Sequence, residues 1–178
     1  WFPSPAAAAS LTVFQDDFES GSLAVWTSSR GVIVQTSYFS SATHAARATT
    51  RSAAGFAAET LGTTSPDVTL ASAVNVLSNG GTVTLLRLRT AAGAGIASLK
   101  INKAGQLVRR NEVTATTTRS TVAMSKNGWH TVSLHAVVNG ASSTVEVLLD
   151  NNAVAQLSGT ASLGSQPVTS PPTIGERT

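Results

Sequence analysis

The sequence predicts an all-β chain folded as an antiparallel sandwich or barrel. Three observations lead there. Short runs alternate between apolar and polar residues with a period of two, and clusters of Gly, Asn and Asp separate them at intervals of about 8–12 residues. No segment carries helical periodicity over a helix length; the alanines at 6–9 follow Pro5 and are too few to sustain a helix. Charged residues make up 12% of the chain, against roughly 25% in an average globular domain. Low charge with abundant Ser, Thr, Gly and Ala suits a secreted β module, and the many β-branched residues argue against disorder.

Taken in order, residues 1–10 (WFPSPAAAAS) form a linker or N-terminal arm, and residues 11–178 a single domain large enough to bury a core. Ala6–Ser10 has the small-residue character of a signal-peptide end, and equally of a Pro/Ala linker behind another domain. A processed or excised piece of a longer protein is therefore expected. The folded part opens at Leu11–Phe14, passes an acidic turn at Asp16–Gly21, and sets Leu23 and Trp26 as apolar anchors. Strands are expected over Gly31–Gln35, His44–Thr49, Ala53–Leu61, Asp67–Leu77, Thr82–Thr90, Ile96–Ile101 and Gln106–Arg110. Glycine-bearing loops separate the later ones at 78–81, 91–95 and 103–105, where a positive φ costs glycine little. The clearest stretch is Gly128–Leu157, which predicts three consecutive strands, Trp129–Val138, Ser143–Leu149 and Asn152–Leu157. The turns between them are Asn139-Gly140 and Asp150-Asn151.

Alternation assigns the faces. His130, Val132, Leu134, Ala136 and Val138 share one side of their strand, with Thr131, Ser133, His135 and Val137 on the other. Val145, Val147 and Leu149 oppose Thr144, Glu146 and Leu148; Leu86 and Leu88 oppose Val83, Leu85, Arg87 and Arg89. Trp26 and Trp129 are expected to anchor the core.

Several classes are disfavoured. The net charge is +3, no run of five basic residues occurs, and aromatic platforms for bases are missing, which argues against nucleic-acid binding. No stretch approaches the roughly 18 apolar residues of a membrane span. The absence of cysteine removes disulfides and thiolate metal sites. The three histidines lack zinc-site spacing, and no Walker loop, Rossmann fingerprint or Gly-x-Ser-x-Gly elbow is present. Serines are too common for a Ser-His-Asp triad to be identified by spacing.

The opening Asp16-Asp17-Phe18-Glu19-Ser20-Gly21 with Trp26 resembles the start of laminin-G-like/concanavalin A-like lectin-glucanase domains of secreted bacterial or phage type. Leu85–Thr90, Gly128-Trp129-His130, Val145–Asp150, Leu157–Thr160 and Ile174-Gly175-Glu176 extend the likeness over about residues 11–176. Two departures stand out: Asp150-Asn151 replaces the usual Asp-Gly, and Glu176 replaces the usual closing Asp. The resemblance implies a two-sheet antiparallel jelly-roll sandwich, its sheets curved, with a concave face that in many members binds glycans. It also implies, as in some members, a structural calcium between the acidic turn and the closing strand, with Asp16, Asp17, Glu19 and Glu176 as its ligands. Calcium takes about six to eight oxygens, and turn capping by the same carboxylates is the simpler alternative.

Hydrolases of this family carry Glu-x-Asp-x-x-Glu along one strand, and that run is missing here; Glu59 and Glu112 stand isolated in the sequence. Lyases of the family use Arg, Gln, His and Tyr; Arg87, Arg89 and His135 have suitable chemistry, but the sole tyrosine, Tyr38, lies in a Ser/Thr-rich loop. The sequence therefore favours a noncatalytic carbohydrate-binding or adhesion module, extracellular or surface-associated, over an enzyme. Its ligand would be a glycan or polysaccharide, acidic because aromatics are scarce, held by Arg87, Arg89, His135, Lys100 and Glu146. The second reading is a self-assembling structural subunit of a virion coat or extracellular filament, or part of a larger parent protein. A polysaccharide lyase stands third.

Overall fold

The computed structural model describes residues 11–48 and 55–169, together with the backbone of 173–174 and 176–177. Its strands are β1 (Ser28–Arg30), β2 (Val32–Gln35), β3 (Ala45–Ala48), β4 (Phe56–Ala58), β5 (Asp67–Asn75), β6 (Val83–Arg89), β7 (Gly95–Ile101) and β8 (Gln106–Asn111). They continue with β9 (Thr117–Ala123), β10 (Trp129–Val137), β11 (Ser143–Leu149), β12 (Asn152–Ala153), β13 (Gly159–Ala161), β14 (Thr173–Ile174) and β15 (Glu176–Arg177). The first large sheet runs β12-β11-β10-β5, with β13 also paired to β11; the second runs β15-β6-β7-β8-β9. A small sheet β1-β4-β14 and the ribbon β2-β3 form a separate N-terminal layer. Every strand pairing among the described residues is antiparallel.

The two large sheets close on one apolar core. Val132, Leu134 and Ala136 from β10 and Val145 and Val147 from β11 meet Leu86, Leu88, Leu99, Ile101 and Leu107 from the second sheet. Leu86, Leu99, Leu107, Val132 and Leu134 are fully buried. Each such aliphatic side chain contributes roughly 1.5–3 kcal/mol by leaving water. The faces predicted for β10 and β11 are those observed. On β6 the expectation fails locally, because a register shift between Thr84 and Leu86 inserts a bulge. Leu85 therefore joins Leu86 and Leu88 in the core, with Val83 packed against it.

Three other differences have physical causes. The expected third strand of the Gly128–Leu157 stretch shortens to β12, because Val154 donates its N–H to Val147 O and the chain then folds into a 3-10 turn, Ala155–Leu157, that buries Leu157. Strand β9 has no counterpart among the expected ones; it is a Thr/Ser-rich edge strand exposed at most of its positions, so it carries little alternation. Trp129 stands half-buried opposite Asn75, on the side of β10 away from the core. Trp26 is buried, but within the N-terminal layer: Phe14 meets it edge-on at 4.9 Å and Phe18 stacks at 6.1 Å. Its indole N–H donates to Asp16 Oδ2 at 2.5 Å.

The expected arm, residues 1–10, lies outside the described residues. Leu134 sits at the centre of the core, so Leu134→Ala should destabilise the domain by roughly 2–5 kcal/mol through lost burial and a residual cavity. Urea unfolding should show a lower midpoint at unchanged slope.

Candidate cationic face

The second sheet has an inner face in the core and an outer face whose residues follow from register. Opposite the core positions Leu86, Leu88, Leu99 and Ile101 stand Arg87, Ser98 and Lys100. Ser98 pairs with Arg110 and Lys100 with Val108 across β7-β8; Arg110 pairs with Thr117 and Val108 with Arg119 across β8-β9. Arg87, Ser98, Arg110 and Thr117 thus form one row across four strands, and Thr84, Lys100, Val108 and Arg119 the next.

Glu112, just beyond β8, lies at the centre of the first row. Its Oε1 accepts from Ser98 Oγ at 2.7 Å and lies 3.8 Å from Arg87 Nε; its Oε2 accepts from Arg110 Nε at 2.9 Å. Burial pushes the Glu112 carboxyl up, but the Ser98 and Arg110 hydrogen bonds and the charges of Arg87 and Lys100 outweigh it and hold the group below its ordinary value. Glycine makes this arrangement possible: a Cβ on Gly95 would stand 2.8 Å from Glu112 Cβ and 3.1 Å from an Arg87 terminal nitrogen. Among the described residues, three cations therefore converge on one ionised carboxylate, with Arg119 exposed beside them.

The structure divides the residues expected to bind together. Arg87, Arg89 and Lys100 belong to the second sheet; His135 and Glu146 lie on the outer face of the first, at the opposite side of the sandwich. They do not form one site. His135 Nε2 lies 2.7 Å from Asp67 Oδ1, and its Nδ1 is 3.9 Å from Glu146 Oε2, so that face carries a histidine between two carboxylates. Arg89 turns to the end of its hairpin and donates to Gly93 O at 3.0 Å. Lys100 is buried rather than solvated. Arg110, Arg119, Ser98 and Glu112 were missed as site residues. Arg110 was recoverable from the 103–105 hairpin, whose register sets it opposite Ser98; Glu112 lies beyond the strand and gave no such signal.

The carboxylates proposed for calcium are engaged by the protein itself. Asp16 accepts from Phe18 N and the Trp26 indole, and Asp17 from Glu19 N. Glu19 accepts from the Thr43 hydroxyl and from the backbone N–H groups of Thr43 and His44. Among the described residues no three acidic or histidine side chains are grouped so as to hold a metal ion. This donor set does not fit the expected cage; the Glu176 side chain lies outside the described residues. The hydrogen bonds from the Thr43 hydroxyl and the His44 backbone, in that order, lower the Glu19 carboxyl to about 2.

Two outcomes follow from these geometries. Glu112→Ala should lower stability by about 2–4 kcal/mol, since it removes the acceptor of Arg110 and Ser98 and the carboxylate beside Arg87; calorimetry checks this. For Glu19 the folded value lies below the ordinary 4.5, so its contribution is present above pH 4.5 and is lost as the pH falls toward 2. Amide exchange at Thr43 and His44, corrected for intrinsic rates, should accelerate over that window in the native protein and not in Glu19→Gln.

No protein-family model matches the chain, and no curated protein matches it. Among solved structures, an endo-β-1,4-glucuronan lyase from the fungus Trichoderma reesei matches at 14% identity with a TM-score of 0.51, covering 88% of this chain and 81% of its own. A carbohydrate-binding module, CBM66, from Bacillus subtilis matches at 13% identity with a TM-score of 0.45, covering 84% and 94%. The likeness to the lyase shows the fold alone: the chain is an antiparallel β-sandwich of jelly-roll type.

Proposed function

We propose that the domain is a carbohydrate-binding module that holds an acidic polysaccharide on the outer face of the second sheet without cleaving it there. One observation carries this reading: Arg87, Lys100, Arg110 and Arg119 share a face, with Glu112 at the centre of one row and the backbone of Glu176 paired with Thr84 at the end of the next. Strands are spaced about 4.8 Å apart, so Arg87 on β6 and Arg110 on β8 lie roughly 10 Å apart across the sheet. That spacing suits carboxylates on separate sugars of an extended chain. Glu112 holds both guanidinium groups in place before any ligand arrives, which reduces the side-chain entropy lost on binding. Glucuronan, for which the lyase of similar fold is named, is one polymer of the required chemistry.

Binding is favoured over cleavage because β-elimination from a uronate needs a group to abstract the proton beside the carboxylate. The chain's three histidines and one tyrosine all lie elsewhere: His44 and Tyr38 in the N-terminal layer, His130 and His135 on β10. The laminin-G-like resemblance agrees with this reading in fold and in its use of a sheet face.

Titration calorimetry with polyglucuronate oligosaccharides should show binding that weakens with salt. Arg110→Ala combined with Arg119→Ala should weaken it about tenfold or more, whereas His135→Ala should leave it unchanged. No unsaturated product should accumulate. Absence of binding at low salt, or an affinity indifferent to the arginine pair, would overturn the proposal.

A further inference from the structure

A second group of side chains lies away from the cationic face, on the first sheet. Ser125 sits in the loop between β9 and β10, His130 is the second residue of β10, and Asp150 opens the turn between β11 and β12. Ser125 Oγ is 2.7 Å from His130 Nε2, and His130 Nδ1 is 2.7 Å from Asp150 Oδ2. The sequence alone does not bring these three together: five residues separate the first pair and twenty the second.

Each member is fixed by its own surroundings. Asp150 Oδ1 accepts from Thr131 N at 2.9 Å, and Asp150 N donates to Thr131 O at 2.8 Å, which leaves Oδ2 for the imidazole. Hydrogen bonds from His130 and then Thr131 hold the Asp150 carboxyl below its ordinary value, so it is ionised at neutral pH. A carboxylate on Nδ1 selects the tautomer with the proton there and turns the Nε2 lone pair toward the serine hydroxyl. The His130 side chain is only 17% exposed, while Ser125 is open to solvent. Gly128 keeps it open: a Cβ there would stand 3.4 Å from Ser125 Oγ and 3.7 Å from His130 Nε2. A structural histidine needs none of this directionality toward an exposed hydroxyl.

We propose that Ser125, His130 and Asp150 form a nucleophile–base–acid triad that hydrolyses esters of small carboxylic acids, acetyl esters being the simplest. The small acyl group follows from location: Ser125 stands exposed in a loop at the rim, and none of the three lines the groove between the N-terminal segment and the sandwich. In the first step Ser125 Oγ bonds to the ester carbonyl carbon and its proton passes to His130 Nε2. The C–O bond to the alcohol then breaks, and the alcohol leaves with that proton. Water, deprotonated by His130, adds to the acyl-serine, and its collapse releases the carboxylic acid and restores the serine hydroxyl. Asp150 holds the imidazole in orientation and stabilises its charged form. This activity is independent of the glycan-binding reading, since it uses no residue of the second sheet.

The test treats the full chain with a fluorophosphonate probe, maps the adduct by peptide mass spectrometry, and follows p-nitrophenyl acetate hydrolysis. One adduct per chain on Ser125 is expected, with hydrolysis that rises with pH through a single titration. Ser125→Ala should abolish the adduct and lower the rate about 100-fold or to background. Asp150→Asn should lower the rate at least about tenfold with circular dichroism unchanged. His135→Ala, a surface histidine outside the triad, should leave the rate as it is. A folded protein without an adduct at Ser125, or hydrolysis that persists in Ser125→Ala, would overturn the assignment.

Discussion

Strand β10 is paired along its length to β5 and, from Val132 to Val137, to β11, and the remaining arrangement depends on that double register. Alternation places Val132, Leu134 and Ala136 in the core and Thr131, Ser133 and His135 outside. A slip of one residue would invert every one of these, burying His135 and exposing three aliphatic side chains. The hydrophobic cost of that inversion exceeds any local preference of the loops, so the strand is held in one position. From that position His130 falls at the rim of the sandwich, beside the β11-β12 turn that carries Asp150.

The two sheets divide the chemistry between them. The outer face of the second gathers Arg87, Lys100 and Arg110 around Glu112. The first sheet pairs histidines with carboxylates: His135 with Asp67 and Glu146 on its outer face, and His130 with Asp150 at its rim. A polymer lying on one face and a small ester reacting at the rim would not compete for space. The N-terminal segment is organised by Trp26 and by Glu19 reaching Thr43 and His44.

Much of the sandwich was legible in the sequence because buried strands alternate. Leu86, Leu88, Val132, Leu134, Val145 and Val147 declare their faces by period alone. The edge strand β9 did not, since Thr117–Ala123 is exposed on both sides and has no apolar stripe. The bulge at Thr84–Leu86 was equally invisible, because nothing local to β6 announces a shift set by its partner β7. Arg87, Arg89 and Lys100 lie on the second sheet, whereas His135 and Glu146, grouped with them by the sequence, belong to the first. Sheet membership is decided by which strands pair over long separations, and alternation within a strand says nothing about it. For the same reason the Ser125–His130–Asp150 contact was out of reach: it is made by a loop, a strand and a turn.

Both residues of the turn Asp150-Asn151 hold positive φ, 51° and 62°. Asx side chains tolerate that backbone better than most residues other than glycine. Asp150 therefore answers to two demands at one position: a left-handed backbone to close the hairpin, and a carboxylate to hold His130. Glycine would satisfy the first and abolish the second, while glutamate would keep a charge and strain the turn. Asparagine shares aspartate's tolerance of the left-handed backbone and its reach, but not its charge. Hairpin closure and the state of the imidazole are thus tied to the same side chain, and neither can drift in sequence without the other.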